Sequence, residues 1–115
     1  MVAREPSSLM SQMRRGAIEY CVLALLCDHD MYGFELTRAL STAGGLVASE
    51  GTVYPLLTRI RHDGLVETFW EPSPQGPPRR YYRLTNDGRL ALETFRIQWR
   101  QFRDTVDAIM KGSDE

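Results

Sequence analysis

The fold is decided by residues 49–66, SEGTVYPLLTRIRHDGLV, where a helix signal passes directly into a strand signal. Ser49 is a favourable helix N-cap, and Gly64 can adopt the left-handed conformation that ends a helix. Between these ends, four apolar residues recur at the spacing i, i+3, i+4, i+7: Val53, Leu56, Leu57 and Ile60. This spacing predicts a helix over residues 49–62 with a single buried face, followed at once by extended chain.

The flanking sequence predicts the remaining elements. One helix is expected over residues 8–27 and a second over 32–43, stopped by two glycines at 44 and 45. Extended runs at residues 65–71 and 80–84, joined by a proline-rich loop, predict a hairpin. Thr85 then caps a last helix that runs to about residue 111. These elements predict a mainly α protein with a small β-hairpin: a winged helix-turn-helix plus a long C-terminal helix.

Length and composition define the domain organisation. A chain of 115 residues, 43% hydrophobic and 25% charged, suits one globular domain with one core. We expect a winged helix-turn-helix DNA-binding domain over residues 1–85, including the N-terminal helix, and a dimerisation helix over residues 86–115. The longest apolar run is too short to span a bilayer. A cytoplasmic location is therefore expected.

The charge alone does not favour a nucleic-acid binder, because the net charge is only −1. The cations are almost all arginine, however, and the planar arginine fork suits bidentate contacts to guanine and phosphate. The helix face opposite the buried stripe, together with arginines on the hairpin and at the first helix, supplies the candidate DNA contacts. They are Arg15, Ser49, Gly51, Thr52, Tyr54, Thr58, Arg59, Arg79 and Arg80. By pattern alone, a merely solvated surface explains these residues equally well.

The last helix carries a heptad pattern of bulky residues with the spacing 3-4-3-4-3. Its members are Leu92, Phe95, Trp99, Phe102, Val106 and Ile109. Because a small monomer would expose this seam to water, a symmetric homodimer is the favoured interpretation. Folding of the helix back onto its own domain is the alternative.

No arrangement typical of catalysis is found in the sequence. His29 and His62 have no nucleophile or carboxylate at a spacing that indicates a triad, and no Cys/His cluster indicates a metal site. We therefore expect no enzyme activity, no metal and no cofactor. Cys21 and Cys27 are expected in one helix, pointing in different directions, as buried thiols. A redox role for them is the alternative.

Five motifs, in this order, resemble those of the PadR family of bacterial transcriptional regulators over about residues 14–110. The motifs are RGAI (15–18), MYGFEL (31–36), SEGTVYPLL (49–57), DGLV (63–66) and RRYYRLTNDG (79–88). The resemblance implies a dimeric winged helix-turn-helix repressor, associated with the nucleoid of a bacterium. Its third helix would enter the major groove of a palindromic operator. The single helix after the hairpin is similar to that of the family's smaller branch.

The resemblance also implies a possible effector site. Some small members bind flat aromatic molecules at the dimer centre, stacked on a tryptophan at the position of Trp99. Arg103 lies where such relatives can carry an acid, so neutral or anionic aromatic effectors are expected here rather than cations. The candidate effector residues are Tyr20, Phe95, Arg96, Trp99 and Arg103. The alternatives are that Trp99 only fills the dimer core, and that the whole chain is a protein-interaction adaptor without sequence-specific DNA binding.

Overall fold

A computed structural model describes residues 6–43 and 50–113. The described chain forms a mainly helical domain with a small antiparallel sheet, which confirms the predicted fold class. The elements in chain order are α1 (Pro6–Arg14), α2 (Ile18–Leu25), β1 (Met31–Tyr32), α3 (Gly33–Thr42), α4 (Glu50–His62), β2 (Val66–Glu71), β3 (Arg79–Leu84) and α5 (Asn86–Ser113). Ser49 and the glycines at 44 and 45 lie outside the described residues.

The prediction of one continuous helix over residues 8–27 is wrong. Gly16 has a φ of 87°, a left-handed conformation that interrupts the right-handed helix between α1 and α2. The amide of Ala17 donates to the carbonyl of Arg14 at 2.9 Å, which closes the turn between them. Consequently Cys21 lies within α2, whereas Cys27 lies in the turn that follows it.

The sheet contains one strand more than the hairpin that was predicted. β2 and β3 form the expected antiparallel hairpin, with Val66 opposite Leu84. On its other side β3 pairs with β1, where Met31 lies opposite Tyr82, so the order is β1-β3-β2. Two residues are too short to show the alternating pattern that identifies a strand in a sequence. The hairpin is therefore tied to the start of α3.

The core lies between the helices and one face of the sheet. All four residues of the stripe predicted on α4 are buried, which confirms the orientation of that helix. They pack with apolar residues of α2, α3, the sheet and α5, among them Leu23, Leu36, Tyr82 and Leu92. The side of α4 opposite the stripe is therefore presented to the surface.

Thr85 connects the end of α4 to the start of α5. Its hydroxyl donates to the carbonyl of Gly64 at 2.7 Å and accepts from the amide of Gly88 at 3.0 Å. Its own amide donates to the carbonyl of Leu65 at 3.1 Å. The predicted N-cap is thus confirmed, and it fixes α5 against the domain. From there the 28 residues of α5 extend ~42 Å.

Candidate nucleic-acid interface

The surface side of α4 presents the residues that the sequence pattern places there. Gly51, Thr52, Pro55, Thr58 and Arg59 are all exposed. The Thr58 hydroxyl donates to the carbonyl of Tyr54 at 3.1 Å, within the helix, and the same hydroxyl keeps lone pairs for an outside donor. This face combines small residues, hydroxyls and a cation, which suits close approach to a groove of DNA.

Arg59 does not stand alone on that face. Its Nε lies 4.0 Å from Oε1 of Glu19, a largely buried residue of α2, while Arg59 itself is mostly exposed. A loose ion pair of this kind contributes little to stability in water. The pair keeps the Arg59 guanidinium near the start of α2, and a phosphate of bound DNA could draw the guanidinium away from Glu19.

Tyr54 lies between the two helices of the helix-turn-helix. Its ring covers Gly33 at the start of α3 so closely that a Cβ added there would lie 2.6 Å from Cε1 of the ring. The ring therefore requires glycine beneath it, and it helps to set α4 against α3. Tyr54 was predicted as a DNA contact; that remains a prediction, and the structure adds this packing role.

The two predicted arginines of the wing, the β2–β3 hairpin, lie on opposite faces of the sheet. Arg79 places its guanidinium 4.5 Å from the centre of the Tyr32 ring. Arg80 donates from Nη2 to the Thr68 hydroxyl at 3.3 Å, and its guanidinium lies 5.9 Å from the Trp70 ring. Consecutive residues of a strand alternate between faces, so these two cations do not form a single patch.

Arg83 is a structural arginine that the sequence analysis did not single out. Its Nε and Nη2 donate to Oδ2 of Asp30 at 3.2 and 3.0 Å, and its guanidinium lies 4.5 Å from the centre of the Phe69 ring. The hydrogen bond and the charge of Asp30 raise the pKa of Arg83. The pair joins residues 53 apart in sequence and ties β3 to the turn before β1.

The far part of α5 presents an aromatic row. Tyr20 of α2 stacks on Phe95 with ring centres 4.2 Å apart, Phe95 lies 5.9 Å from Trp99, and Trp99 lies 6.2 Å from Phe102. Trp99 is 41% exposed and Phe102 63%, so the row emerges from the domain toward the surface. Ile109 continues it as an exposed residue and Val106 as a half-buried one.

Leu92, the first residue of the predicted dimer seam, belongs elsewhere. It is 3% exposed and packs in the core of the single chain, because the start of α5 crosses the domain. Its assignment to the dimer interface is therefore corrected. The seam available to a partner begins one step later, at Phe95.

A groove of about 800 Å³ runs between α1 and α5. Met13, Arg15 and Gly16 line one side, and Trp99, Phe102 and Arg103 are among the residues of the other. Arg15, predicted as a DNA contact, is thus placed beside the proposed effector residues. Arg103 donates to Oδ1 of Asp104 at 3.0 and 3.1 Å. Arg96 and Tyr20 do not line the groove, although Tyr20 stacks on Phe95 at its inner end.

The thiols and acids do not assemble into a metal site. In residues 6–43 and 50–113, no three His, Cys, Asp or Glu side chains come together in a way that could hold a metal ion. Burial raises the pKa of the Cys21 thiol, which reduces the fraction of reactive thiolate. Over the same residues, no helix is long and apolar enough to cross a membrane.

The arrangement of α3, α4 and the β2–β3 hairpin defines a winged helix-turn-helix protein, a class that binds DNA through an exposed helix. The family model described as the transcriptional regulator PadR-like family matches residues 22–94. The chain therefore belongs to the PadR-like family of transcriptional regulators. PadR regulators bind DNA and are typically dimeric, and they are not enzymes.

Individual relatives agree with this assignment. The chain is 39% identical over 83 residues to the transcriptional regulator Rv3488 of Mycobacterium tuberculosis, which covers 72% of this chain and 76% of that protein. A crystal structure of a PadR-like transcriptional regulator from Bacillus cereus is similar at 36% identity and a TM-score of 0.79, covering 86% of this chain and 96% of that one. A PadR-like transcription factor from Bacteroides fragilis is similar at 40% identity and a TM-score of 0.73, covering 89% and 98%.

Proposed function

We propose that this chain is a homodimeric repressor that binds a palindromic operator through α4 and the wing and is released by an aromatic effector at the dimer interface. The observation that carries the proposal is the presence of two exposed surfaces on one fold. The polar outer face of α4 suits a DNA groove, and the exposed aromatic row of α5 suits a second copy. A dimer through α5 would present two copies of α4 to two half-sites.

The DNA contact is proposed to centre on Arg59. It is exposed on α4, as Arg61 is, and its ion pair with Glu19 is long at 4.0 Å. A phosphate or a guanine edge can replace that carboxylate at small cost, because solvent already screens the pair. Glu19 then competes with DNA for Arg59.

The first prediction follows from this competition. Arg59→Ala should weaken binding about 10-fold, the value of a good arginine contact, whereas Glu19→Gln should strengthen it about 2-fold. The measurement is fluorescence anisotropy at two salt concentrations, with a duplex that the wild-type protein selects from a random pool. DNA binding should weaken steeply as salt rises, while an apolar protein interface would not.

Arg100→Ala is the matched control for this experiment. It removes the same charge from an exposed position on α5, away from the outer face of α4. Arg59→Ala must lower affinity clearly more than Arg100→Ala does. Equal effects of the two variants would mean that the loss reflects net charge and that α4 is not the reading helix.

The dimer is proposed to form along α5. A helix that exposes Phe102 and Ile109 on one side leaves a large apolar stripe in water, which monomeric proteins rarely do. Phe95, Trp99, Phe102, Val106 and Ile109 would form the shared seam. The same helix from a second copy, related by a twofold axis, would cover this stripe with an identical one.

The effector is proposed to occupy the groove between α1 and α5, stacked on Trp99. A volume of about 800 Å³ with an aromatic and methionine lining accommodates a molecule of several fused rings. Arg15 and Arg103 contribute two positive charges and Asp107 one negative charge to the lining. Although Asp104 takes part of the Arg103 charge, the balance favours neutral or anionic aromatic molecules over cations.

The second prediction uses the two tryptophans of the chain. In Trp70→Phe protein, Trp99 is the sole tryptophan, so quenching of its emission reports binding in the groove. An anionic probe, anilinonaphthalene sulfonate, should quench Trp99 saturably, and the cationic probe proflavine should bind at least 10-fold more weakly. Arg103→Gln should reduce this preference. Equal binding of both probes, or binding that survives Trp99→Leu in otherwise wild-type protein, would contradict the proposed site.

A further inference from the structure

We infer that Trp70 and Arg80 together form the backbone contact of the wing, with Arg80 bound to a DNA phosphate and the Trp70 ring against the adjoining deoxyribose. This inference rests on the proposed DNA binding and names the part of the wing that performs it. Trp70 was not among the residues predicted to contact DNA.

The position of the two residues comes from the register of the hairpin. Trp70 and Arg80 are direct partners across β2 and β3. They share a face with the cross-strand pair of Thr68 and Tyr82, since residues two apart point to the same side. Tyr82 is buried in the core, whereas Trp70 is 66% exposed. The pair therefore lies where the core-facing side of the sheet emerges from beneath the helices, on the same side as α4.

Arg80 differs from the other two arginines of the wing in the acidic residues that lie near it. Arg83 is neutralised by Asp30, and Arg79 lies on the opposite face with Glu71 as its cross-strand partner. In the described part of the chain, Arg80 has no carboxylate within ion-pairing distance. Arg80 is therefore the wing cation that shares the side of α4 and keeps its charge available for a phosphate.

The guanidinium of Arg80 is also held in place. Nη2 donates to Thr68, and Nε is buried without a hydrogen-bond partner in the described structure. The Trp70 ring lies beside the group at 5.9 Å. A fixed guanidinium loses less entropy when it binds a phosphate than a freely moving one. Nη1, which makes no hydrogen bond within the described residues, is the nitrogen that would meet the DNA.

The exposed indole of Trp70 gains free energy when it moves from water onto the apolar face of a sugar. A large aromatic ring at the end of a hairpin gains by covering the apolar face of a deoxyribose beside the phosphate that Arg80 binds. Contacts to sugar and phosphate position a protein on DNA without reading its sequence. The pair should therefore add affinity for every duplex and leave the preference for the operator unchanged.

The test compares wing variants by fluorescence anisotropy on the selected duplex and on a scrambled duplex of equal length. Trp70→Ala should weaken binding 5- to 20-fold on both duplexes, and Trp70→Phe should restore most of the loss. Arg80→Ala should weaken binding by a similar factor. It should also reduce the slope of log affinity against log salt concentration by about one, as expected for the loss of one phosphate contact. Arg100→Ala, which removes the same charge from an exposed position on α5, is the matched control and should have a clearly smaller effect.

A direct readout uses wild-type protein labelled with 5-fluorotryptophan. The fluorine resonance that disappears in Trp70→Phe belongs to Trp70, and it should shift when the selected duplex is added. Thermal unfolding of each variant within a few degrees of wild type establishes that the fold is kept.

The outcomes distinguish this inference from the function on which it rests. Salt-dependent binding by the wild type, combined with an unchanged affinity of Trp70→Ala and an unmoved Trp70 resonance, would overturn the wing contact alone. A loss confined to the selected duplex would also overturn it, because Trp70 would then read bases. Absence of salt-dependent binding by the wild type to any duplex would overturn the proposed DNA binding itself.

Discussion

Gly88 shows how a single residue positions the long helix. It lies in the first turn of α5, where its backbone passes directly against the carbonyl of Leu65. A Cβ added to Gly88 would overlap that carbonyl and also meet the Leu84 side chain, and the carbonyl cannot move without shifting the backbone between α4 and β2. The contact allows Thr85 to cap α5 while it holds the carbonyl of Gly64.

Gly88→Ala should therefore destabilise the protein by at least about 2 kcal/mol, since overpacking against backbone cannot be relieved by a rotamer change. Urea unfolding followed by circular dichroism measures this loss. Gly112→Ala is the matched control, because Gly112 lies in the same helix with nothing within 4 Å of its added Cβ. That change should leave stability unaltered or raise it slightly. A Gly88→Ala protein as stable as wild type would refute the close packing of α5 on Leu65.

Single residues were predictable from the sequence where their role is local. The cap at Thr85, the left-handed Gly64 and the buried stripe of α4 each follow from neighbours within a few positions. The roles of Gly33 beneath Tyr54 and of Arg83 beside Asp30 depend on contacts between distant segments. No local pattern marks either role in the sequence, although Gly33 begins a helix and Asp30 directly precedes a strand.

At the scale of elements, the prediction failed where one residue interrupts a helix. Both halves of residues 8–27 contain helix, but the left-handed Gly16 divides them into α1 and α2. The break matters for the proposed effector site, because it turns α1 to form one wall of the groove facing Trp99. A continuous helix would carry Met13 and Arg15 along the axis of α2 instead.

The predictions for the wing and for α5 were also incomplete, because a sequence pattern does not show what each residue contacts. Arg79 and Arg80 were both predicted as DNA contacts of the hairpin, yet the pleat of β3 sends them to opposite faces. The heptad pattern of α5 was correct as a pattern, but its first member, Leu92, is used by the chain's own core. A spacing predicts which residues share a face and does not tell which partner covers each part of that face.

In the whole molecule, the family model and the proposed effector site cover different parts of the chain. The matched residues, 22–94, contain the helix-turn-helix and the wing, whereas α1 and most of α5 lie outside them. The DNA-binding elements therefore lie within the residues that the family model matches, and the residues that line the groove between α1 and α5 lie outside them. The elongated shape, 57 Å in its longest dimension, follows from α5 extending away from the domain.

The proposed dimer requires a fixed spacing between the two half-sites of the DNA. Two copies of α4 in one twofold assembly must meet half-sites about one turn, roughly 34 Å, apart on the same side of the duplex. If α5 joins the two domains rigidly, as the proposed dimer requires, the protein cannot follow half-sites that rotate to opposite sides. A monomer would bind each half-site independently of the spacing between them.

The most direct test of the account inserts ~5 base pairs, about half a turn, at the centre of the selected operator and measures affinity by fluorescence anisotropy. Wild-type protein should lose at least 10-fold in affinity, while Phe102→Glu, which places a charge in the α5 seam, should bind both duplexes weakly and equally. Wild-type protein that binds the original and the expanded operator with the same affinity would contradict a dimer that joins two α4 helices across one turn of DNA.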